Sequence, residues 1–439
     1  MASTYLTRTQ GSGNRKIFTQ SFWCKVCDTS GTQSLAGAFD DSNNYSYCFF
    51  DGGNLKLQWK SGGSVIATLD TNRKFRDPNA WYHIVYAVDT TQSTSADRIK
   101  LYVNGVQETS FSTATYPNQN ASAEINGNGI TYNIGSASSG QNFNGVMSHL
   151  HFCDGTALAP TVFGETDSTT GEWKINTSPS FTPGTNGFTI LKDGNTITDQ
   201  SSNSNDFSLG GGTLTNTEDC PSNVFCTLNP LDNYWCNGTF AYGNTRITTD
   251  TTKFGYNTGT LGASSGKWYW EMKLAQAVTS GDYHVVGVAS VHPFDQEGLG
   301  YRAGGYAYQG EQGNKRINGS QTSYGSAWST NDIIGIAMDL DNKKLYFSKN
   351  NVWQNSGVPT SGSTGTGAIS LTQDGFYFPA VSDHAGGLYS AGIFDFNFGN
   401  GYFGTTAVAS AGTNASGNGI FEYDTPTGYT ALSTKGLNE

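Results

Sequence analysis

Residues 99–105 read Ile-Lys-Leu-Tyr-Val-Asn-Gly, and the fold class follows from them. Ile99, Leu101 and Val103 point one way while Lys100 and Tyr102 point the other, the period of two that a half-buried strand requires. Asn104-Gly105 then supplies the positive φ angles of a tight hairpin turn. Working outward, FTQSFWCKV from Phe18, LKLQWK from Leu55 and WYHIVYAVD from Trp81 carry the same period. A second series comprises GKWYWEMKL from Gly266, YHVVGVAS from Tyr283, GFYFPAVS from Gly375 and GIFDFNFG from Gly392. In residues 331–351, NDIIGIAMDLDNKKLYFSKNN, alternation runs to Leu340, Asp341-Asn342 turns the chain, and Leu345-Tyr346-Phe347 returns as an antiparallel partner.

Composition agrees with strands and turns. The 439 residues include 56 Gly, with 13% aromatic and only 13% charged residues. Average usage would give about 31 Gly and about 25% charge. Long helices need Ala, Leu, Glu, Lys and Arg on their surfaces, whereas this chain uses Thr, Ser, Tyr and Asn, which suit strands and turns. The expected fold is all-β: two tandem antiparallel β-sandwich (jelly-roll) domains. The first spans residues 1–215 and the second 216–404, with a linker near 210–235 where TEDCPSNVFCTLNPLDNYWCNG breaks regular structure. Residues 405–439, rich in Gly, Ala, Ser and Thr, hold too few apolar residues for a core and should pack along the second domain or a neighbour. No repeat period links the halves.

The net charge of −11, without a Lys/Arg cluster, excludes nucleic acid and anionic membrane as partners. No apolar run is long enough for membrane insertion, and the polar start MASTYLTRTQ leads us to expect folding in a cytoplasm. Seven cysteines, an odd number thinly spread, read as buried thiols. Cys24 and Cys27 form a C-x-x-C inside an apparent strand, with no second pair to complete a metal site.

Chemistry is not expected. Glu165-Thr166-Asp167 is the nearest approach to a paired-carboxylate glycosidase motif, but the next acid, Glu172, follows a loop-like Ser/Thr run. These acids read as decoration of a surface turn after Phe163. His83, His149, His151, His284, His292 and His384 are scattered, with no G-x-S-x-G elbow. His149 and His151 would share a strand face and, with Asp154, offer a metal corner; packing is the simpler reading. Phosphate-cradling loops are absent, so no nucleotide cofactor is implied.

Together FTQSFWCKV, WYHIVYAVD, DRIKLYVNGV, NFNGVMSHLHFCDG and FGETDSTTGEW resemble a concanavalin A-like, laminin G-like lectin domain over residues 5–209. SGKWYWEMKL, VVGVAS, GGYAYQG, NDIIGIAMDLDNKKLYFSKNN, FYFPAVS and FDFNFG resemble a SPRY domain over residues 225–400. With the joining string CTLNPLD and the closing PTGYTALSTKGL, the combination is similar to virion proteins of marine bacteriophages and other aquatic viruses. That resemblance implies a virion surface protein on a tail fibre, head fibre or capsid exterior, in several copies beside other virion structural proteins, assembled in the host cytoplasm and adhering to host cell-surface glycans. A purely architectural fibre or decoration subunit is the alternative, and a glycan hydrolase a weaker one. The laminin G-like resemblance also implies Ca²⁺ at the sandwich rim, with Asp40, Asp41 and Asn43 as hard oxygen ligands. The same three residues serve an ordinary Asx turn. Aromatic rings and planar polar groups hold sugars. Trp23, Trp81 and Trp268 read as core, leaving Tyr301, Arg302, Tyr306, Tyr308, Trp328 and Trp353 as ligand-binding candidates in loops.

Overall fold

The structure is a computed structural model describing residues 4–137, 141–277, 284–383 and 391–438; Tyr283 and His384 lie outside the described residues. The chain divides into two units, Met1–Asn216 and Thr217–Glu439. Among the described residues no helix is long and apolar enough to cross a membrane.

In the first unit the described strands form an eight-stranded, a six-stranded and a two-stranded antiparallel sheet. Thr32–Asp41, Asn44–Asp51, Asn54–Ser61 and Ser64–Lys74 make a meander at the heart of the larger sheet. Ile17–Val26, Trp81–Asp89 and Gly145–Asp154 centre the smaller one. The period of two puts Leu55, Leu57 and Trp59 from one sheet against Phe22, Ile84, Tyr86 and Val88 from the other. Ile99, Leu101 and Val103 are buried on Ile99–Val103, and Asn104 and Gly105 turn the chain with φ of 48° and 76° into the partner Val106–Gln107. Trp23 and Trp81 are buried.

In the second unit the described strands form a nine-stranded, a six-stranded and a two-stranded sheet. Lys267–Gln276 pairs with Ile333–Asp339 on one side and Ile393–Asn397 on the other. Ile333–Asp339 turns back through Leu340–Lys343 into Lys344–Lys349; Asp339 holds that turn by accepting from the Asn342 amide nitrogen (3.0 Å) and side chain (2.8 Å). Trp268, Trp270, Met272, Ile336 and Phe347 fill the space facing Val286, Val288, Tyr306 and Tyr308 of the other sheet.

The opposite face of the nine-stranded sheet is also covered. Tyr269, Ala337 and Tyr346 form a second cluster with Phe421 and Tyr429 from the Gly/Ser/Thr-rich tail. Thr430–Ala431 of that tail lies parallel to Trp268 and Tyr269. Glu271, fully buried between them, accepts from the backbone nitrogens of Glu422 (2.8 Å) and Tyr423 (2.9 Å), from the Tyr269 hydroxyl (3.1 Å) and from Asn397 Nδ2 (3.2 Å). Burial outweighs these donors and lifts its carboxyl from 4.5 to about 7.

A carboxyl with a raised folded pKa leaves the native state binding more protons than the unfolded chain between those two values. Its contribution is complete below pH 4.5 and is lost as pH rises to 7, at about 1.4 kcal/mol per pH unit. Urea unfolding of the second unit at pH 5, 6 and 7 should show this slope, and Glu271→Gln should flatten it.

Candidate functional site

At the end of the first unit, the hairpin tips at residues 41–44 and 61–64 face the segment 121–130 across an open cleft of about 750 Å³. Arg15, Asp40, Asn44, Glu124 and Asn128 supply its polar lining, and Ile66 and Ile130 its apolar patches. Arg15 bridges to Glu124 (Nη2 to Oε2, 2.8 Å) and donates Nε to the Ala123 carbonyl (2.5 Å). Burial raises the Glu124 carboxyl; Arg15 opposes the rise, and the nearby carboxylates of Asp40 and Asp41 add to it. The cleft therefore pairs one cation with a concentration of acid and open amides.

The tip FDDSNNYS is largely self-satisfied. Asp41 Oδ1 accepts from the Asn43 nitrogen (2.7 Å) and Asn44 Nδ2 (3.1 Å), Asn44 Oδ1 accepts from the Gly62 nitrogen (2.9 Å), and the Asn43 carbonyl accepts from Gly63 (3.1 Å). Asp41 and Asn43 are thus used in the Asx turn, and Asp40 alone of the three lines the cleft. Among the described residues no group of three or more His, Cys, Asp or Glu side chains forms a metal cluster. The turn engages Asp41 through Oδ1 and Asn43 through its backbone nitrogen and carbonyl.

The candidates in the second unit separate. Tyr306 and Tyr308 are not loop residues: they lie on the strand Gly305–Gln309, at 1% and 0% exposure, facing the core. The Tyr306 hydroxyl bonds Thr372 Oγ1 (2.8 Å), and the Tyr308 hydroxyl donates to the Ser326 carbonyl. Trp328 is buried beside His284, with ring centroids 4.5 Å apart. These three are packing residues: GGYAYQG alternates its two tyrosines inward, and Trp328, outside any strand, is 1% exposed. Tyr301 lies half-buried beneath the Arg316 guanidinium (3.9 Å), and exposed Arg302 bridges Asp295 (3.0 Å) and Glu297 (2.8 Å). Both belong to the connection 290–304, whose Leu299 plugs a small cluster on the outer face of the six-stranded sheet. Trp353 packs on the outer face of the nine-stranded sheet instead, so the structure does not bring it to Tyr301.

The sequence did not single out an exposed apolar rim on this unit. Leu231, Tyr234 and Phe294 are 68%, 80% and 63% exposed, and Val291 and Phe376 are also exposed. Their segments are tied together by His292, whose Nδ1 meets Asp232 Oδ2 at 3.1 Å and whose ring lies 5.1 Å from Phe378.

Groups that could be mistaken for catalytic ones are held in structural roles. The His83 ring accepts at Nδ1 from the Trp173 indole nitrogen (3.0 Å). Indole is a donor only, so the proton sits on Nε2 and is directed at Ser21 Oγ, 2.9 Å away. Burial pushes His83 down to about 3, and both it and Ser21 are fully buried. Glu165 lies in the short strand Gly164–Thr166, and Asp167 caps the turn that follows, accepting from Thr169 and Thr170 (2.7 and 2.8 Å) and pairing with Lys174 (2.6 Å). The expected His149/His151 face is broken by a register shift between Ser148 and His151, with His149 at φ 49°. His151 bonds Thr189 (3.0 Å), and Asp154 accepts from Asn14, Asn126 and Asn186, which leaves no metal corner.

Comparison with known proteins gives residues 1–162 as a match to the profile of the concanavalin A-like lectin/glucanases superfamily (laminin G type), and residues 267–391 as a match to the SPRY domain. A curated relative, the E3 ubiquitin-protein ligase RKP of Arabidopsis thaliana, is 33% identical over 118 residues, 27% of this chain and 8% of that protein. The chain thus spans less than a tenth of that relative's length. Among solved structures, the SPRY domain of human HERC1 is 18% identical, covering 38% of this chain and 96% of that one (TM-score 0.29). The TRIM65 PSpry domain is 11% identical, covering 39% and 91% (TM-score 0.30), and stonustoxin is 18% identical, covering 39% and 27% (TM-score 0.28). The chain carries a concanavalin A-like, laminin G-like domain followed by a SPRY domain, two β-sandwiches in tandem.

Proposed function

We propose that this is a non-enzymatic virion surface protein, carried on a tail fibre, head fibre or capsid exterior, whose first domain adheres to host glycans. The observation that carries the glycan reading is the cleft of about 750 Å³, where Asp40, Glu124, Arg15 and Asn128 offer planar polar groups beside the apolar Ile66 and Ile130. Sugars need that pairing, hydroxyls met by carboxylates and amides and a C–H face met by apolar surface. The virion reading rests on the similarity of CTLNPLD and PTGYTALSTKGL to phage virion proteins. These strings meet where the Cys226 nitrogen donates to the Leu432 carbonyl (2.9 Å), and just before the first string the Val224 carbonyl accepts from the Thr434 nitrogen (2.9 Å).

Full-length protein on a microbial glycan array should give saturable binding that falls about tenfold in Asp40→Ala and Asn128→Ala, equal to about 1.4 kcal/mol for each. An array without binding overturns the reading. Because Nε2 of His83 carries the proton and Ser21 is buried, a fluorophosphonate probe should leave Ser21 unlabelled in the folded chain, as mass spectrometry of the treated protein would register. Labelling would restore hydrolysis.

The exposed rim of Leu231, Tyr234 and Phe294 favours a second reading, docking onto another virion protein, because apolar patches of this kind mark protein contacts. Under it, Tyr234→Ser with Phe294→Ser should abolish incorporation into particles, quantified by immunoblot of purified virions, while glycan binding stays unchanged.

A further inference from the structure

We propose that the strand Ser320–Ser323 of the second unit is a docking edge: it takes an extended acidic segment of a partner protein as a further strand of the six-stranded sheet, with a carboxylate of that segment on Arg316. Ser320–Ser323 ends the sheet and is exposed along its whole length. It is joined to Asn314–Ile317 by the two-residue turn Asn318-Gly319, both at positive φ (48° and 75°). In such a hairpin the residues flanking the turn, Ile317 and Ser320, exchange backbone hydrogen bonds, and so does every second pair beyond them. Thr322 therefore bonds inward to Lys315, while the N–H and C=O groups of Gln321 and Ser323 point away from the sheet. These four groups have no partner among the described residues.

Proteins normally blunt such an edge with lysine, proline, a bulge or a covering segment. Ser320–Ser323 carries no lysine or proline, and its register with Asn314–Ile317 is unbroken. The opposite edge of the same sheet, Tyr256–Thr258, is closed by the protein itself: the Asn229 nitrogen donates to the Thr258 carbonyl (2.9 Å), and Asn257 Nδ2 to the Asn229 carbonyl (2.7 Å).

Charge names the occupant. Arg316, paired with Gln321 across the hairpin, is 8% exposed, yet it makes no ion pair among the described residues. Its guanidinium lies 3.9 Å over the Tyr301 ring, Nη2 donates to Gln321 Oε1 (3.2 Å), and Nε has no acceptor. A cation so enclosed and answered by a neutral amide lacks the carboxylate that its planar fork fits best. Lys315, on the other face with its ammonium 5.9 Å from the Tyr324 ring, has no ion pair among the described residues either. Glu311, the one acid between Gly305 and Ser323, pairs with neither. An added strand alternates its side chains, so acids at two adjacent positions would meet Arg316 on one face and Lys315 on the other. A second copy of this chain would bring its own Arg316 and Lys315 to the same edge, and like charges across strands are destabilising, so a different, acidic partner is selected. The edge shares no residue with the cleft of Asp40 or the rim of Leu231 and Phe294, so it stands whatever those bind.

The test is titration of the full-length chain with an eight-residue peptide of threonine and valine carrying aspartate and glutamate at its two central positions, against a twin carrying asparagine and glutamine there. We expect the acidic peptide to bind ten or more times tighter than the amide twin. Arg316→Gln should remove about tenfold of the acidic peptide's affinity and leave the twin's unchanged. Because Arg316 also packs on Tyr301, a second variant acts through the backbone alone. Ser323→Pro removes an outward N–H that bonds nothing in the sheet, so the chain should fold as before and bind neither peptide. On the unaltered protein, hydrogen–deuterium exchange read by mass spectrometry should slow across residues 320–323 when the acidic peptide is bound. Equal affinity for the two peptides, or binding that leaves this exchange unchanged, overturns the proposal. Slowing of the exchange with rising protein concentration and no peptide also overturns it, assigning the edge to a second copy of the chain.

Discussion

The strand Lys267–Gln276 is buried on both faces, and the second unit is organised around that constraint. One face, Trp268, Trp270, Met272 and Leu274, is met by the opposite sheet, as in any sandwich. The other carries Tyr269 and Glu271, which must also leave water, and the sheets have nothing left to cover them. The tail supplies the cover: Phe421 packs edge-on against Tyr269 at 5.0 Å, and the backbone at Glu422 and Tyr423 gives its N–H groups to Glu271. A buried carboxylate without donors costs several kcal/mol, so strand and tail each need the other. The tail's poverty in apolar residues is no obstacle, because two aromatics and a hydrogen-bonded backbone suffice to close a face the sheet has already built.

How much of this could be read beforehand depends on what kind of information a local pattern holds. Alternation with a turn signal is local, so the hairpin at 99–107 and the pair at 333–349 were legible residue by residue, down to the positive φ at Asn104 and Gly105. Which face of a strand meets the core is not local. Tyr306 and Tyr308 alternate with Ala307, and both faces are in fact buried, the tyrosines between the sheets and Ala307 under Leu299. Trp328 was misread for a related reason, being buried outside any regular element. At His149 the alternation itself failed, because a bulge inserts residues that a period of two cannot register. Asp40 was singled out from the sequence only as a calcium ligand beside Asp41 and Asn43, not as part of a cleft, because Arg15 and Glu124 are 109 residues apart and meet only through the fold.

The cleft sits at the hairpin tips of the sandwich for a physical reason. At the ends of a sheet the hairpin tips must satisfy their own backbone, which Asp41 and Asn44 do here; Asp40, beyond that need, is left exposed at the cleft, while Glu124 is buried against Arg15. On the sheet face the backbone is already paired in the ladder, so side chains there are free of that duty and rings can lie flat.

Charge decides how such surfaces would meet a cell. With a net charge of −11, and with lysines such as Lys56 and Lys60 engaged by neighbours, the protein has no long-range attraction to an anionic envelope, and steering adds little to its rate of encounter. Contact must then be won at short range, where one exposed stacking or hydrogen-bonding site holds a sugar only weakly. Weak sites become firm attachment when they are linked, because after one contact the next is intramolecular and works at an effective concentration in the millimolar range. Repeated copies on a particle, as the proposed function has it, would provide such linkage. Under the proposed glycan-binding role, a protein with this charge can therefore keep each site individually weak and still hold, and it would release when the chain of contacts is cut rather than when the salt rises.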